Sequence, residues 1–165
     1  MNNVNDPLQL LRKEYAERML RRDELNTNPL MQFDAWMNEA VRVQMQEPNA
    51  ACLSTCGSDG QPRGRMVLLR GVDEDGFVFF SNYNSSKAQQ ISSNSHVSLL
   101  FFWKELERQI RIDGVCSKVS AEESDAYFHS RPIGSRLGAW ASPQSEKIQD
   151  REVLVQRLAS VTQEF

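Results

Sequence analysis

Three apolar runs separated by two tight polar turns constrain the fold of this chain more than any other feature. The runs are Ala50–Thr55, Arg65–Arg70 and Phe77–Phe80. The turns between them, Gly57–Gly60 and Asp73–Gly76, consist of residues that favour tight reversals of the chain. Links this short join neighbouring antiparallel strands and leave no room for a crossover helix. The sequence therefore predicts an antiparallel meander rather than a βαβ unit.

Two further strands are predicted after the meander. They cover Val97–Trp103 and Gln109–Val119, and a short helical turn near Lys87–Ile91 precedes them. The total is then five or six strands with no parallel crossover between them. Such a pattern indicates a small barrel or a strongly curled sheet.

Two helices are predicted before the sheet. The first spans Pro7–Arg22, with Asp6 as its N-cap and a proline at its first position. The second begins at Pro29 after the N-cap Asn28, and its apolar residues recur at helical spacing. These apolar residues are Phe33, Trp36, Met37, Ala40 and Val41.

Three helices are predicted after the sheet. The capping box Ser120–Glu123 begins a helix that runs to about His129. A short helix over Gly134–Trp140 follows the interruption at Arg131-Pro132, and Asp150 caps the last helix. The last helix is expected to turn three apolar side chains inward, namely Leu154, Leu158 and Val161.

We expect one domain built of three segments. Helices occupy residues 1–48, the barrel strands occupy residues 49–119, and helices that pack on the barrel occupy residues 120–165. A chain of 165 residues is long enough for a single domain of this kind.

Composition and charge narrow the classes of function. The net charge of −3 lacks the basic excess that a nucleic-acid coat would need. No apolar run is long enough to span a bilayer, and no secretory signal opens the sequence. The three cysteines, Cys52, Cys56 and Cys116, are an odd number, and neither histidine completes a zinc-like spacing with them. We expect a cytoplasmic protein with reduced thiols and with no metal, membrane or nucleic-acid partner.

Ser81–Lys87 is the best candidate for binding an anion. The segment links a strand to the start of a helix, and it offers hydroxyls, backbone N–H groups and an ammonium that suit a phosphate monoester. The alternative is structural, with Ser85 as a helix cap and Lys87 as a solvated charge. The motifs of the common dinucleotide, nucleotide and hydrolase frameworks are absent from the sequence.

Two further groups of polar residues are open to either a binding or a structural interpretation. Arg65 and Arg70 flank an apolar run and point to opposite faces of a strand. Either at least one guanidinium enters a phosphate pocket, or both lean into water at the strand ends. In Tyr127–Pro132, His129 fits a structural hydrogen bond better than a catalytic base. The pair Gln144-Ser145 by itself indicates no particular function.

Six short segments in a fixed order carry a resemblance to a known family. They are Arg65–Arg70, Phe79–Asn82, Ser85–Lys87, Glu107–Gln109, Tyr127–Pro132 and Gln144-Ser145. On these segments the chain, from about Leu11 to its end, resembles the pyridoxine (pyridoxamine) 5′-phosphate oxidases, FMN enzymes of the split-barrel superfamily. Tyr127–Pro132 is the most specific segment, because the strand segments alone would fit the wider superfamily.

The resemblance implies a fold and an activity. The fold is mainly β with peripheral helices (α+β), a six-stranded antiparallel split β-barrel of the FMN-binding type. The assembly is a homodimer with FMN in the cleft between its subunits. The activity is oxidation of pyridoxine 5′-phosphate or pyridoxamine 5′-phosphate to pyridoxal 5′-phosphate, with O₂ as acceptor and H₂O₂ as product.

The resemblance also assigns binding residues, while naming no catalytic acid or base. The implied FMN contacts are Arg65, Met66, Val67, Leu68, Phe80, Ser81, Ser86, Lys87, Gln109, Gln144 and Ser145. The last two would reach the FMN held mainly by the other subunit. The implied contacts to the substrate phosphate are Arg70, Tyr127, Arg131 and Ser135, and Arg12 and Tyr15 belong to a segment that closes over the substrate.

The sequence departs from the family's pattern at three of these positions. Arg70 stands where lysine is usual, Phe80 where tyrosine is frequent, and Ser86 where arginine is usual. Losing one charge-assisted hydrogen bond at Ser86 predicts FMN binding that is about tenfold or more weaker, unless another group compensates.

The family's C-terminal segment, with its Trp-Gly-Gly and Arg-x-His elements, is not in this sequence. Without it we expect weak flavin binding and little turnover. Two alternatives to the main interpretation stay open. One is another flavin split-barrel oxidoreductase, such as a flavin reductase or a phenazine-pathway oxidase. The other is a non-catalytic dimer that binds FMN or pyridoxal phosphate.

Overall fold

A computed structural model describes residues 19–164 of the chain. The predicted helix Pro7–Arg22 lies mainly outside the described residues, as do the candidate substrate contacts Arg12 and Tyr15. The described end of that helix is not α-helical, because a single 3₁₀ turn covers Arg22–Glu24. Among residues 19–164, no helix is long and apolar enough to cross a membrane.

Five strands form one sheet within the described residues. In chain order they are β1 (Ala50–Cys56), β2 (Pro62–Asp73), β3 (Gly76–Phe79), β4 (His96–Trp103) and β5 (Arg108–Val115). Their order across the sheet is β3-β2-β1-β4-β5. Strand β2 pairs antiparallel with both β1 and β3, so the predicted meander is confirmed.

The two turns of the meander follow the predicted chemistry. Gly60 adopts a φ of 70°, a left-handed conformation that glycine tolerates without strain. In the second turn the Asp73 carboxylate accepts hydrogen bonds from the backbone N–H groups of Asp75 and Gly76, at 2.9 and 3.0 Å. Local side-chain bonds of this type fix the reversal before any tertiary contact is needed.

Six strands were expected from the resemblance, and this count is wrong for the described residues. The sequence offers five runs with a strand pattern, and each of them forms one strand, so no run is left for a sixth. The last predicted strand, Gln109–Val119, is also too long at its end. The chain leaves the ladder after Val115, and the Cys116 N–H donates to the carbonyl of Ser95 at 2.8 Å.

Alternate residues of the central strand form the core of the sheet. Ala51, Leu53 and Thr55 on β1 are buried, and their neighbours in sequence are only half-buried. Leu53 lies opposite Leu99 of β4 in the register, and Phe101 farther along β4 is completely buried. Burying side chains of this size contributes about 1.5–3 kcal/mol each.

The chain divides into two compact units. One unit comprises Met1–Pro48, described from residue 19, and Phe102–Gln109. The other comprises Asn49–Phe101 and Ile110–Phe165. The expected division into segments 1–48, 49–119 and 120–165 stays a prediction.

Helix α1 (Pro29–Arg42) belongs to the first unit. The Asn28 side chain accepts hydrogen bonds from the N–H groups of Leu30 and Met31, so the predicted N-cap is confirmed. Of the predicted apolar stripe, Phe33 and Ala40 are buried. Val41, which shares the same spacing, is 58 % exposed.

An ion pair and aromatic rings stabilise the first unit. The Trp103 indole N–H donates to the Pro48 carbonyl at 2.8 Å. The Arg108 guanidinium donates to the Glu39 carboxylate at 2.5 Å, and the same guanidinium lies 5.1 Å from the centroid of the Trp36 ring. Each of these polar groups therefore has a partner, as buried polar groups require.

Four helices belong to the second unit. They are α2 (Ser86–Ser93), α3 (Ala121–Ser130), α4 (Ile133–Ala141) and α5 (Arg151–Glu164). The Ser120 hydroxyl accepts from the Glu123 N–H at 3.0 Å, and the Asp150 carboxylate accepts from the Val153 N–H at 3.1 Å, so both predicted caps are confirmed. Leu158 is 42 % exposed and does not face inward as predicted, whereas Leu154 and Val161 are half-buried.

Candidate functional site

The loop between β3 and α2 is held by its own hydrogen bonds. The Ser85 hydroxyl donates to the Asn82 carbonyl at 2.6 Å, and the Asn82 side chain accepts from the Asn84 N–H at 2.8 Å. Ser85 is fully buried and occupies the N-cap position of α2, but its side chain does not cap the helix. The N-cap side chain therefore leaves the backbone N–H groups in the first turn of α2 uncapped, and these groups and the helix dipole favour an anion.

The Lys87 ammonium lies buried beneath this loop. Its Nζ donates to the Ser85 hydroxyl at 3.1 Å and to Oε1 of Gln144 at 2.9 Å. Only 8 % of Lys87 is exposed, so the structural alternative in which it is a solvated charge is wrong. Burial lowers the pKa of Lys87, and the positive charge of Arg65 lowers it further.

The Arg65 guanidinium is anchored by neutral oxygen atoms. Its Nη1 donates to the carbonyls of Leu53 and Arg63, at 3.0 and 2.9 Å, and to the Thr55 hydroxyl at 2.6 Å. Its Nη2 donates to Oε1 of Gln90 at 2.9 Å. Burial is the main cause that lowers the pKa of Arg65.

Neither of these two cations has a carboxylate partner among the described residues. The two charges are close enough to interact, since the positive charge of Arg65 helps to lower the pKa of Lys87. Two partly buried cations with no counter-ion repel one another and lose hydration energy. An anion bound beside them would relieve both costs, and its oxygens would receive charge-assisted hydrogen bonds.

A second cluster brings together two of the predicted substrate contacts, Arg70 and Tyr127, with Phe80. The Phe80 and Tyr127 rings stack with their centroids 3.7 Å apart and their planes 6° apart. The Arg70 guanidinium lies 6.0 Å from the centroid of the Tyr127 ring. Arg131 follows the end of α3 with its guanidinium 5.9 Å from the ring of Phe128, and the exposed Ser135 lies in the first turn of α4.

An open cleft of about 2670 Å³ in the second unit collects many of the predicted site residues. Those that line it are Met66, Val67, Phe80, Ser81, Lys87, Tyr127, Arg131, Ser135 and Gln144. Lining side chains of both polarities suit a ligand with an aromatic ring and a phosphate.

Other predicted residues lie elsewhere. Arg65, Leu68, Arg70, Ser86 and Ser145 belong to the same unit but do not line the cleft. Gln109 is exposed and belongs to the first unit. Ser145 has a φ of 71°, which places a residue other than glycine in the left-handed region next to Gln144.

Two contributing residues were not predicted from the sequence. Thr55 and Gln90 both bond to Arg65, and the Thr55 hydroxyl also donates to Oε1 of Gln90 at 2.6 Å. The only signal was Thr55 itself, a polar residue at an inward position of an apolar strand. His129 bonds through Nδ1 to the Asp125 carbonyl, the structural contact that the sequence favoured. The described residues contain no group of three or more side chains that could hold a metal ion.

Sequence comparisons place these features in a family. A family model described as pyridoxamine 5′-phosphate oxidase matches residues 37–165. Curated relatives named pyridoxine/pyridoxamine 5′-phosphate oxidase include one from Trichormus variabilis, 55 % identical over 148 residues, which covers 90 % of this chain and 69 % of the relative. Another, from a Polaromonas species, is 50 % identical over 165 residues and covers 100 % of this chain and 76 % of the relative.

Solved structures agree with the fold. PhzG of Burkholderia lata, in complex with tetrahydrophenazine-1-carboxylic acid, aligns with a TM-score of 0.83 and 26 % identity over 88 % of this chain and 73 % of that protein. An FMN-binding protein of Nostoc punctiforme, related to pyridoxamine 5′-phosphate oxidase, aligns with a TM-score of 0.61 and 20 % identity over 79 % of this chain and 73 % of that protein. The expected split-barrel fold class is therefore confirmed, and the family match and the relatives together show that this chain belongs to the pyridoxamine 5′-phosphate oxidase family.

Proposed function

We propose that this chain is an FMN-dependent oxidase that converts pyridoxine 5′-phosphate or pyridoxamine 5′-phosphate to pyridoxal 5′-phosphate. Dioxygen is the electron acceptor and hydrogen peroxide the second product; from the amine substrate, water is also consumed and ammonia is released. The working form is a homodimer with FMN in the cleft between subunits. Family membership supports the reaction class, and the names of the relatives support the substrates.

Arg65 and Lys87, which have no carboxylate partner among residues 19–164, carry this proposal. They lie in the same unit as the uncapped first turn of α2, and together these groups fit the phosphate of FMN. Arginine suits two phosphate oxygens at once because its guanidinium is planar, and lysine adds a compact charge. The hydroxyls of Ser81 and Ser86 complete the proposed cofactor contacts to this group.

Gln144 supports the same assignment in a particular way. Its Oε1 accepts from the ammonium of Lys87 in the same chain, at 2.9 Å. Gln144 and Ser145 are proposed to contact FMN, and this bond lets Gln144 orient Lys87 without removing its charge. Met66, Val67 and Leu68 follow Arg65 along β2 and are proposed to lie beside the flavin.

The substrate is proposed to bind through its own phosphate. Arg70, Tyr127, Arg131 and Ser135 are the proposed contacts, and Tyr127 is held in place by its stack on Phe80. Binding of the substrate phosphate positions the pyridine ring without the help of a reacting side chain. This positioning lowers the entropic cost of reaching the reactive geometry.

When bound, FMN would supply the redox chemistry, namely a two-electron oxidation at the C4′ carbon of the substrate with O₂ as the final acceptor. The chain's own residues bind the two phosphates, orient the rings and exclude water from the cleft. In the part of the chain that the structure describes, no histidine near the cleft pairs with a carboxylate, and no side chain is assigned as a base.

The test is a titration of purified protein with FMN, followed by a peroxide assay. Visible flavin absorption that stays with the protein on gel filtration at the mass of a dimer supports cofactor binding and assembly. Peroxide formation that depends on pyridoxine 5′-phosphate or pyridoxamine 5′-phosphate supports the activity. Retained flavin without peroxide would contradict the oxidase and favour the non-catalytic FMN-binding dimer.

A second candidate is favoured by one observation. The solved structure of PhzG holds a tetrahydrophenazine carboxylic acid, and this chain shares its fold with a TM-score of 0.83. An oxidase acting on reduced phenazines would use the same flavin cleft but would have no need of the four phosphate contacts. Oxidation of a dihydrophenazine carboxylate with no response to either vitamer phosphate would favour this alternative.

A further inference from the structure

Gln90 contacts Arg65 in the proposed phosphate site, which consists of Arg65, Lys87 and the first turn of α2. It lies on α2, and its Oε1 receives hydrogen bonds from Nη2 of Arg65 at 2.9 Å and from the Thr55 hydroxyl at 2.6 Å. Because two donors converge on this atom, it must be the amide oxygen rather than the nitrogen. Thr55 therefore fixes the orientation of the Gln90 amide, and the amide in turn fixes the guanidinium.

Other arginines of this chain are held differently. Arg63 is bound by the Asp59 carboxylate at 2.7 Å, and Arg108 is bound by the Glu39 carboxylate at 2.5 Å. An acidic acceptor holds a guanidinium more strongly than an amide does, but it also cancels the charge. At Arg65 all four acceptors are neutral oxygens.

We propose that Gln90 is a positioning residue of the phosphate site, which fixes Arg65 through an uncharged acceptor so that the guanidinium keeps its full charge for an anion. The position requires the length of glutamine, because the bond spans from helix α2 to strand β2. It also requires neutrality, because a carboxylate would occupy the cation in place of the ligand. This inference rests on the proposed function for the identity of the anion, the phosphate of FMN.

The experiment compares the affinities for FMN and for riboflavin, which lacks the phosphate. Three variants are measured beside the wild type: Gln90→Glu, Gln90→Met and the control Gln61→Glu. The control introduces the same charge on an exposed side chain in the turn between β1 and β2, which does not line the cleft and donates to the Pro62 carbonyl. Ligand-free thermal unfolding is recorded for each variant, to verify that it folds.

Gln90→Glu is expected to reduce the preference for FMN over riboflavin about tenfold or more, which corresponds to the loss of one charge-assisted hydrogen bond. Its unfolding temperature without ligand should equal or exceed that of the wild type, because it gains an ion pair with Arg65. Gln90→Met, which is neutral, should reduce the preference less than Gln90→Glu. Gln61→Glu should stay within about twofold of the wild type, as an exposed charge outside the cleft has little effect.

A Gln90→Glu protein with the wild-type preference would overturn the inference. So would a Gln90→Met protein that loses as much preference as Gln90→Glu, since the charge would then have no part in the effect. Stabilisation by inorganic phosphate separates this inference from the proposed function. If phosphate raises the unfolding temperature of the wild type and not of Gln90→Glu, while FMN binds no better than riboflavin, the inference holds and the FMN proposal fails. If neither ligand affects the wild type, both fail.

Discussion

The rings of Phe80 and Tyr127 stack face to face, 3.7 Å apart at their centroids and 6° apart in plane. Phe80 follows strand β3 and leads into the loop between β3 and α2, whereas Tyr127 lies on α3. The stack therefore joins a residue proposed to contact the cofactor to one proposed to contact the substrate. Since aromatic pairs contribute about 0.5–1.5 kcal/mol beyond their buried area, the Tyr127 ring has little freedom to move.

Replacing Phe80 by leucine is expected to weaken substrate binding. The KM for pyridoxine 5′-phosphate should rise about three- to tenfold, because the loss of a stacked ring of this strength frees Tyr127. Phe80→Tyr, which keeps a ring for the stack, should stay within about twofold of the wild type. Steady-state kinetics on both variants tests this expectation, and an unchanged KM in Phe80→Leu would show that the stack does not position Tyr127.

The lowered pKa of Lys87 leads us to expect that FMN binding depends on pH. Its pKa is lowered, so between that value and the ordinary 10.5 the folded chain binds fewer protons than the unfolded chain. The stability of the ligand-free protein therefore gains from this group as the pH rises through that window. FMN binding should change in the opposite direction, because the ammonium that attracts the phosphate is lost as the pH rises.

Flavin fluorescence titrations at alkaline pH measure this effect. The phosphate of FMN has its second pKa at about 6 and stays doubly charged throughout the window. Riboflavin should show no such decline, and Lys87→Met should bind FMN more weakly with a flat pH profile. A decline in the wild type that is the same for riboflavin would assign it to another group.

Local chemistry made part of this structure predictable from the sequence. The turn at Asp73–Gly76 and the caps at Asn28 and Ser120 depend on residues within four positions of each other. Their hydrogen bonds form wherever the chain adopts that local conformation, so the turn and the caps could be predicted from the sequence alone. Local chemistry did not predict the bond that Ser85 makes, because its hydroxyl donates to the Asn82 carbonyl instead of capping α2.

The sequence predicted which residues belong to the candidate site, but not how they contact one another. The resemblance named Arg65, Phe80 and Tyr127, but the stack between the two rings joins separate elements that no local rule pairs. The bond between Thr55 and Gln90 spans 35 residues and exists only once the register of β1 and β2 and the position of α2 are set. Contacts of this kind follow from tertiary packing, for which neither residue carries a signal of its own.

Removal of the Thr55 hydroxyl is expected to lower the free energy of unfolding. It is almost fully buried, and its hydroxyl both accepts from Arg65 and donates to Gln90. Thr55→Val removes the hydroxyl at nearly constant volume and leaves both partners short of a bond, which should lower the free energy of unfolding by about 1–3 kcal/mol. Urea denaturation measures this change. Ser54→Ala, on the opposite face of the same strand, is the control and should change stability by less than about 0.5 kcal/mol; equal effects at the two positions would contradict the predicted role.

The ion pair between Glu39 and Arg108 should stabilise the first unit more than an exposed pair can. Both side chains are 16 % exposed, whereas those of Arg63 and Asp59 are 41 % and 51 % exposed. Glu39→Gln leaves the guanidinium beside Trp36 without its counter-charge, and after allowing for partial solvent screening the expected loss is about 1–3 kcal/mol. Asp59→Asn, the matched change in the exposed pair, should cost less than about 1 kcal/mol and respond to salt. Urea denaturation of both variants at low and high ionic strength tests this expectation. If burial protects the pair of Glu39 and Arg108 from screening, added salt should reduce the loss of stability in Asp59→Asn but not in Glu39→Gln.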